Sequence, residues 1–144
     1  MSQFLIIIMS TITILFIISI LKRIFYFAPC KKHIEINEKY KEFSIKKLHG
    51  LELCNKFSRV IIYFPSNKKN ISYVQDKLLA LHNLGYNIIT FDYSGFGLSK
   101  GIPNEQQLYD DACLITAMVS QYYSNNNIIL YGEQLGSSLA TYVA

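Results

Sequence analysis

Gly132-Glu133-Gln134-Leu135-Gly136 decides how this chain is read. Its frame is that of a G-x-S-x-G nucleophile elbow, where a serine sits on a sharp strand-to-helix turn and two glycines keep side chains out of the way. Gln134 stands at the serine position. An amide is not appreciably nucleophilic near neutral pH, and no neighbouring base can activate it as a histidine activates Ser or Cys. The flanks fit the frame. Before it, Asn127-Ile128-Ile129-Leu130-Tyr131 is a short apolar, β-branched run that predicts a buried parallel strand. After it, Ser137 to Ala144 is small and helix-compatible, as a helix packed close behind an elbow must be.

A second buried strand, Tyr86 to Asp92, runs into the glycine-dense loop Tyr93-Ser94-Gly95-Phe96-Gly97-Leu98-Ser99-Lys100-Gly101. The stretch F-D-Y-S-G-F-G-L-S-K-G-I-P-N-E-Q-Q-L-Y-D-D-A, from Phe91 to Ala112, resembles the D-Y-R-G-Y-G-x-S-x-G-x-P-S-E-x-x-x-Y-x-D-A segment of α/β-hydrolases. It is most similar to the membrane-anchored branch that includes acyl-thioester and lipid hydrolases. With G-E-Q-L-G-S-S at the expected distance beyond it, the resemblance covers Glu42 to Ala144. It implies an α/β fold with a mostly parallel sheet and helices on both faces, and, where active, a serine esterase or thioesterase.

Three departures from that pattern bear on activity. Gln134 replaces the serine. The family's H-G-N-type loop, which lends an N–H to the oxyanion hole, is replaced by Pro65-Ser66-Asn67, and Pro65 has no N–H to lend. The triad of this fold runs Ser, then Asp or Glu, then His along the chain, whereas His33, His49 and His82 all precede the elbow and the sequence ends at Ala144. The sequence therefore reads as a truncated α/β-hydrolase with no intact catalytic residue, its elbow position Gln134 flanked by Gly132, Glu133, Leu135 and Gly136. Such a protein is expected to work, if at all, by binding. The alternatives are part of a serine hydrolase from a split gene, or a decayed gene product.

Ser138 lies in a shifted G-x-S-x-A frame, but one helical turn beyond the elbow it is expected to point sideways, away from a cleft over the strand ends. The histidines read as solvated or structural: His33 in a basic stretch, His49 at a turn before Gly50, His82 on the exposed side of a helix. Asp92 is expected to tie down the glycine loop. Asp110 and Asp111 are expected to suit the amino end of a helix.

Phe4 to Leu21 is the other strong feature, an apolar run broken only by Ser10, Thr11, Thr13 and Ser19 and free of charge, Pro and Gly. At about 1.5 Å per residue it spans roughly 27 Å, close to a hydrocarbon core, with Lys22 and Arg23 able to snorkel and Ile24 to Phe27 extending the span. It predicts a single uncleaved transmembrane anchor, because no basic segment precedes it and no small-x-small site lies near Phe27-Ala28-Pro29-Cys30. Lys22, Arg23, Lys31 and Lys32 follow the span, which predicts a cytoplasmic soluble domain. The sequon Asn70-Ile71-Ser72, read as a loop, offers a test of that orientation.

The net charge of +4 comes largely from the same juxtamembrane stretch and reads as a membrane-surface signal. No element interleaves Lys or Arg with aromatics as a nucleic-acid face would, so no nucleic-acid partner is expected. Gly95, Gly97 and Gly101 are misplaced for a dinucleotide fingerprint, and no cofactor is expected. Cys30, Cys54 and Cys113 are odd in number without C-x-x-C spacing, which argues against a disulfide framework or a zinc site. Cys30 reads as a free thiol near the membrane, with palmitoylation as the alternative, and Cys113 as core.

The expected organisation is an anchor and flank at 1–27, a basic linker at 28–41 and a partial hydrolase-like domain at 42–144. Glu42–Leu48 and Leu51–Phe57 form an antiparallel pair turning at His49-Gly50, followed by a strand at Ser58–Phe64 and a helix at Ile71–Leu84 that stops at Gly85. Ile88–Asp92 is a parallel strand, and Asn104-Glu105-Gln106-Gln107 has the form of a capping box opening a helix to about Tyr123. The strand Ile128, Ile129, Leu130, Tyr131 is expected to present an exposed sheet edge, open to self-association or a protein partner.

Overall fold

A computed structural model of the chain describes residues 3–27 and 29–144, and of 23–26 the backbone alone. Arg23 as a snorkelling side chain, Met1 and Ser2 of the expected anchor, and Ala28 in the stretch after it lie outside that description. The element order is α1 (Gln3–Tyr26), β1 (Lys41–Ile45), β2 (Leu48–Leu53), β3 (Val60–Phe64), α2 (Gln75–Asn83), β4 (Asn87–Phe91), α3 (Glu105–Val119), β5 (Ile128–Gly132) and α4 (Leu135–Val143). Single turns of 3-10 helix precede α2 (Ile71–Tyr73) and β5 (Asn125–Asn127). The stretch Gln3–Lys22 of α1 has a mean hydropathy of 2.9 and none of it is buried against the protein, so it is long and apolar enough to cross a membrane.

The five strands form one sheet in the order β1-β2-β4-β3-β5. β3 pairs in parallel with both β4 and β5, while β1–β2 and β2–β4 are antiparallel. The sheet is therefore mixed, with its parallel part confined to β4-β3-β5. Alternation along the strands splits the core in two, as a period of two residues requires. Val60, Ile62, Phe64, Ile89 and Phe91 face α3 and α4, packing on Leu108, Ala112, Ile115, Val119 and Leu139. Ile61, Tyr63 and Ile88 face the other way, with Leu78 of α2 and Ile71. Helices thus cover both faces, and β3 and β4 are buried at every position, β3 as a continuous apolar run and β4 with Asn87 and Thr90 among its apolar residues.

The first hairpin turns at Lys46-Lys47, not at His49-Gly50: Ile45 pairs with Leu48, and Lys46 takes φ 52°. Two residues suffice for such a turn when the first adopts a left-handed backbone. Gly50 is a strand residue opposite Phe43, where a Cβ would strike the Phe43 ring and come within 2.7 Å of the Thr90 carbonyl oxygen. His49 in consequence is a buried residue of β2.

Helix α2 begins after a 3-10 turn and leaves Leu84 largely exposed, while His82 is buried. The His82 Nδ1–H donates to the Tyr86 carbonyl (2.7 Å), which leaves Nε2 to accept from the Asn55 amide (2.9 Å). The ring thereby closes the carboxyl end of the helix, where Gly85 at φ 96° reverses the chain. Asn104 caps α3 by accepting the Gln107 N–H at 2.9 Å. Only that half of the capping box forms, because the Gln107 side chain donates to Asp111 instead. Asp111 is buried and accepts both the N–H and the hydroxyl of Ser94, so it pins the glycine loop to α3 and does not serve as a solvated charge at the helix end. Cys113 lies on the exposed side of α3, not in the core.

Candidate functional site

The turn from β5 into α4 has the shape that the elbow frame demands. Gln134 takes φ 52° and ψ −112°, a region that side chains rarely enter, and α4 starts at the next residue. Both glycines are required by close approach. A Cβ on Gly136 would run into the Phe64 carbonyl oxygen and come within 2.8 Å of that of Pro65, so α4 lies directly on the end of β3. A Cβ on Gly132 would meet the backbone of Gly136 and Ser137. Backbone hydrogen bonds lock the reversal: Glu133 N–H to Phe64 O (3.1 Å), Gly136 N–H to Glu133 O (2.9 Å), Ser137 N–H to Gln134 O (3.0 Å). The Ser137 hydroxyl adds a bond to Gly132 O at 3.0 Å.

Glu133 supplies a tie that sequence reading missed. Its carboxylate accepts the Tyr63 hydroxyl and both oxygens accept Lys77 Nζ, at 2.9 and 2.8 Å, joining the elbow to β3 and α2. Lys77, and after it Tyr63, hold the Glu133 carboxyl below its ordinary range, while burial and the adjoining carboxylate push the Tyr63 phenol up. Tyr131 stacks on Tyr63 from the neighbouring strand. No sequence signal marks this cluster, because its members are 56 and 70 positions apart.

Beside the elbow lies a cleft of about 630 Å³ lined by Phe27, Leu108, Tyr109, Leu135, Ser138 and Leu139, with Lys22, Asn67 and Glu105 at its polar margin. Ser138, one turn into α4, lines this cleft, whose lining is largely helical and includes no strand residue. The cleft opens where the end of α1 meets α3 and α4, and its apolar lining suits a hydrocarbon chain.

The histidines are engaged elsewhere. His49 directs Nδ1 to Asp92 (3.4 Å) and Nε2 to Glu42 (2.6 Å), and these carboxylates, Asp92 foremost, raise its pKa against the opposing effect of burial. His33 packs edge-on against the His49 ring. Asp92 does tie down the glycine loop: its carboxylate accepts the N–H of Ile71 (2.9 Å) and of Leu98 (3.3 Å), and Gly97, at φ 44°, has no room for a Cβ beside it. Tyr93, pushed up in pKa by burial, donates its hydroxyl to Pro65 O at 2.8 Å and so braces the loop after β3.

Asn70, the sequon asparagine, is 1% exposed. Its amide donates to Lys32 O (2.7 Å) and Cys30 O (3.1 Å), and its oxygen accepts from Ser72. The folded domain hides this acceptor, so it makes a poor reporter of orientation. The same bonds strap residues 30–37 to the domain, with Ile34 N–H on Ser72 Oγ (3.1 Å) and Asn37 N–H on Gln75 Oε1 (2.7 Å).

No protein-family model matches the chain. Among curated proteins, it is 36% identical to the lysophosphatidylserine lipase ABHD12 of Danio rerio over 61 residues, 42% of this chain and 16% of the relative. An uncharacterized protein of Acanthamoeba polyphaga mimivirus is 39% identical over 92 residues, 60% of this chain and 31% of the relative. The chain thus spans less than a third of the length of these curated relatives. Among solved structures, the Pyrococcus furiosus esterase Pf2001 superposes with a TM-score of 0.63 at 19% identity, over 78% of this chain and 48% of the esterase.

Proposed function

This chain has the α/β-hydrolase fold, and on that premise we propose that it is a membrane-anchored, non-hydrolysing relative of the acyl hydrolases that holds a single-chain acyl lipid in the cleft beside its elbow. One observation carries the reading: the strained elbow is built in full around a residue that cannot attack a carbonyl. The resemblance to a lysophosphatidylserine lipase and the apolar lining support the acyl ligand. The hydrophobic α1, whose end at Lys22 and Phe27 borders the same cleft, supports the anchor and a route for lipid from the bilayer. Positive residues after α1 favour a cytoplasmic domain. Of the polar atoms near the elbow, Ser137 is spent on Gly132 O, and Ser138 has neither His49 nor His82 to activate it, since both are committed to other partners.

The free edge of β5 is the proposed site of self-association. Among the described residues β5 pairs with β3 alone. A second copy of this strand satisfies the open N–H and C=O groups. Tyr131, exposed and at this edge, is the better place for a disrupting charge, because Ile129 packs into the core between the sheet and α2.

Three outcomes are expected. A radiolabelled lysophospholipid incubated with the full chain in micelles is bound and recovered intact, and a fluorophosphonate probe labels nothing; stoichiometric labelling of Ser137 or Ser138, or release of free fatty acid, contradicts the reading. An acceptor sequon appended after Ala144 stays unmodified in microsomes, whereas an endoglycosidase-sensitive mass increase places the domain in the lumen. Light scattering on the detergent-solubilised chain gives a dimer or larger species that Tyr131→Lys shifts towards monomer at tens of micromolar, on the order at which open edges associate; a monomeric parent overturns the edge proposal.

A further inference from the structure

The glycine-rich loop after β4 carries two apolar side chains that the fold leaves outside. Tyr93 and Phe96 are buried, but Leu98 is 50% exposed and Ile102 60% exposed. This is not looseness. The Leu98 N–H is held by Asp92, Ser99 Oγ donates to Asp92 O at 2.6 Å, and the Phe96 N–H (2.8 Å, to Tyr93 O) and the Ser99 N–H (2.9 Å, to Phe96 O) close successive turns, so the loop holds Leu98 in the open.

The same loop is fastened to the segment that leaves α1. Gly97 N–H donates to Cys30 O at 3.0 Å and Lys31 Nζ donates to Ser99 O at 3.2 Å. From the end of α1 at Tyr26 to Cys30 is four residues, a reach of at most about 14 Å, and Lys22 itself borders the cleft against α3. The loop cannot move away from the end of α1. Lys31, on Ser99 O, and Lys100 stand at the loop, Lys32 follows in the adjoining strap, all three exposed, and Lys46 lies at the β1–β2 turn, where Lys100 N–H bonds Lys47 O at 2.9 Å. The nearby acids are Asp92, buried beneath the loop; Glu42, half-exposed but paired with the His49 ring that also meets Asp92; Asp110 and Asp111, sharing a hollow with Lys46 and Lys47; and Glu105, on the cleft margin with Lys22. The outward face of the loop is therefore apolar at its tip and basic at its rim.

The geometry points to a second membrane contact: Leu98 and Ile102 insert into the interface of the leaflet where α1 emerges, and Lys31, Lys32 and Lys100 engage anionic headgroups around them. This rests on α1 being a membrane anchor. It holds on either side of the membrane, because the loop is fixed to the end of the helix and not to a compartment. The contact sets the cleft mouth against the lipid surface, where an acyl chain leaves the bilayer.

The chain contains no tryptophan, so a single introduced one reports its own surroundings. The full chain bearing Leu98→Trp, Ile102→Trp or Tyr122→Trp is reconstituted into vesicles with acyl-brominated lipids, zwitterionic alone or with a phosphatidylserine fraction, and washed with alkaline carbonate. Tyr122, 79% exposed just beyond the far end of α3, is the reference. The loop variants are expected to lose about half their emission and shift to the blue, more in the anionic vesicles, while Tyr122→Trp loses less than about a tenth, as fits insertion of 5–10 Å at the interface. Lys32→Glu with Lys100→Glu abolishes the anionic increment. Quenching at Leu98 and Ile102 no greater than at Tyr122, in protein that stays with the vesicles, overturns the contact; protein stripped by the carbonate wash overturns the anchor, and the contact with it.

Discussion

The reversal of the chain at Gln134 is the constraint on which the rest of the domain depends. To turn from β5 into α4 through Glu133 and Gln134 alone, the backbone at Gln134 enters a region costing a non-glycine residue on the order of 1–3 kcal/mol. The turn persists because its surroundings leave no alternative. Gly136 lies against the Phe64 carbonyl, Gly132 against the start of α4, and Glu133 is tied to Tyr63 and Lys77. Through these contacts the elbow fixes the distance between β3 and α4, and with it the wall of the cleft formed by Leu135, Ser138 and Leu139. In an esterase such strain holds a nucleophile at the cleft mouth. Here it holds an amide.

On the proposed reading, a scaffold that keeps its strained turn around an amide retains recognition and gives up turnover. The cleft is apolar, borders the end of α1 and is braced by the glycine loop through Asp92, Tyr93 and Asp111. Asp92, Tyr93 and Asp111 each hold backbone groups of the neighbouring loops, Asp92 also meeting the His49 ring and Asp111 the Ser94 hydroxyl and the Gln107 amide, so they act as girders of the site. The segment after α1 acts likewise: Asn70 and Ser72 bind it to the domain, so helix, loop and cleft form one unit at the carboxyl ends of β3, β4 and β5.

Much of this was legible in the sequence because it is local. The elbow frame, the apolar runs of β3, β4 and β5 and the Asn104 cap depend on residues within a few positions of each other, and all appear where those residues predict them. What the sequence hid is set by partners far along the chain. Gly50 looks like a turn residue, but the ring of Phe43 needs the space a side chain would take, and the turn moves to Lys46. His82 looks solvent-facing by helical spacing, yet it is buried by Phe57, Asn55 and Tyr86 from outside its helix. The antiparallel entry of β2 beside β4, the Glu133–Lys77–Tyr63 cluster and the burial of Asn70 are likewise long-range outcomes that no periodicity encodes.

The central claim is that Gln134 occupies a strained position without chemical return, and the stability of Gln134→Gly tests it most directly. Glycine enters this backbone region freely but costs roughly 0.5–1 kcal/mol in unfolded-state entropy, against relief of about 1–3 kcal/mol of strain. Thermal unfolding of the full chain in micelles should show Gln134→Gly more stable than the parent by about 1 kcal/mol, a rise in Tm of about 4–8 °C for a domain of this size. An unchanged or lower Tm would mean that the Gln134 side chain contributes contacts that offset the strain, and the account of the elbow as an empty frame would fail.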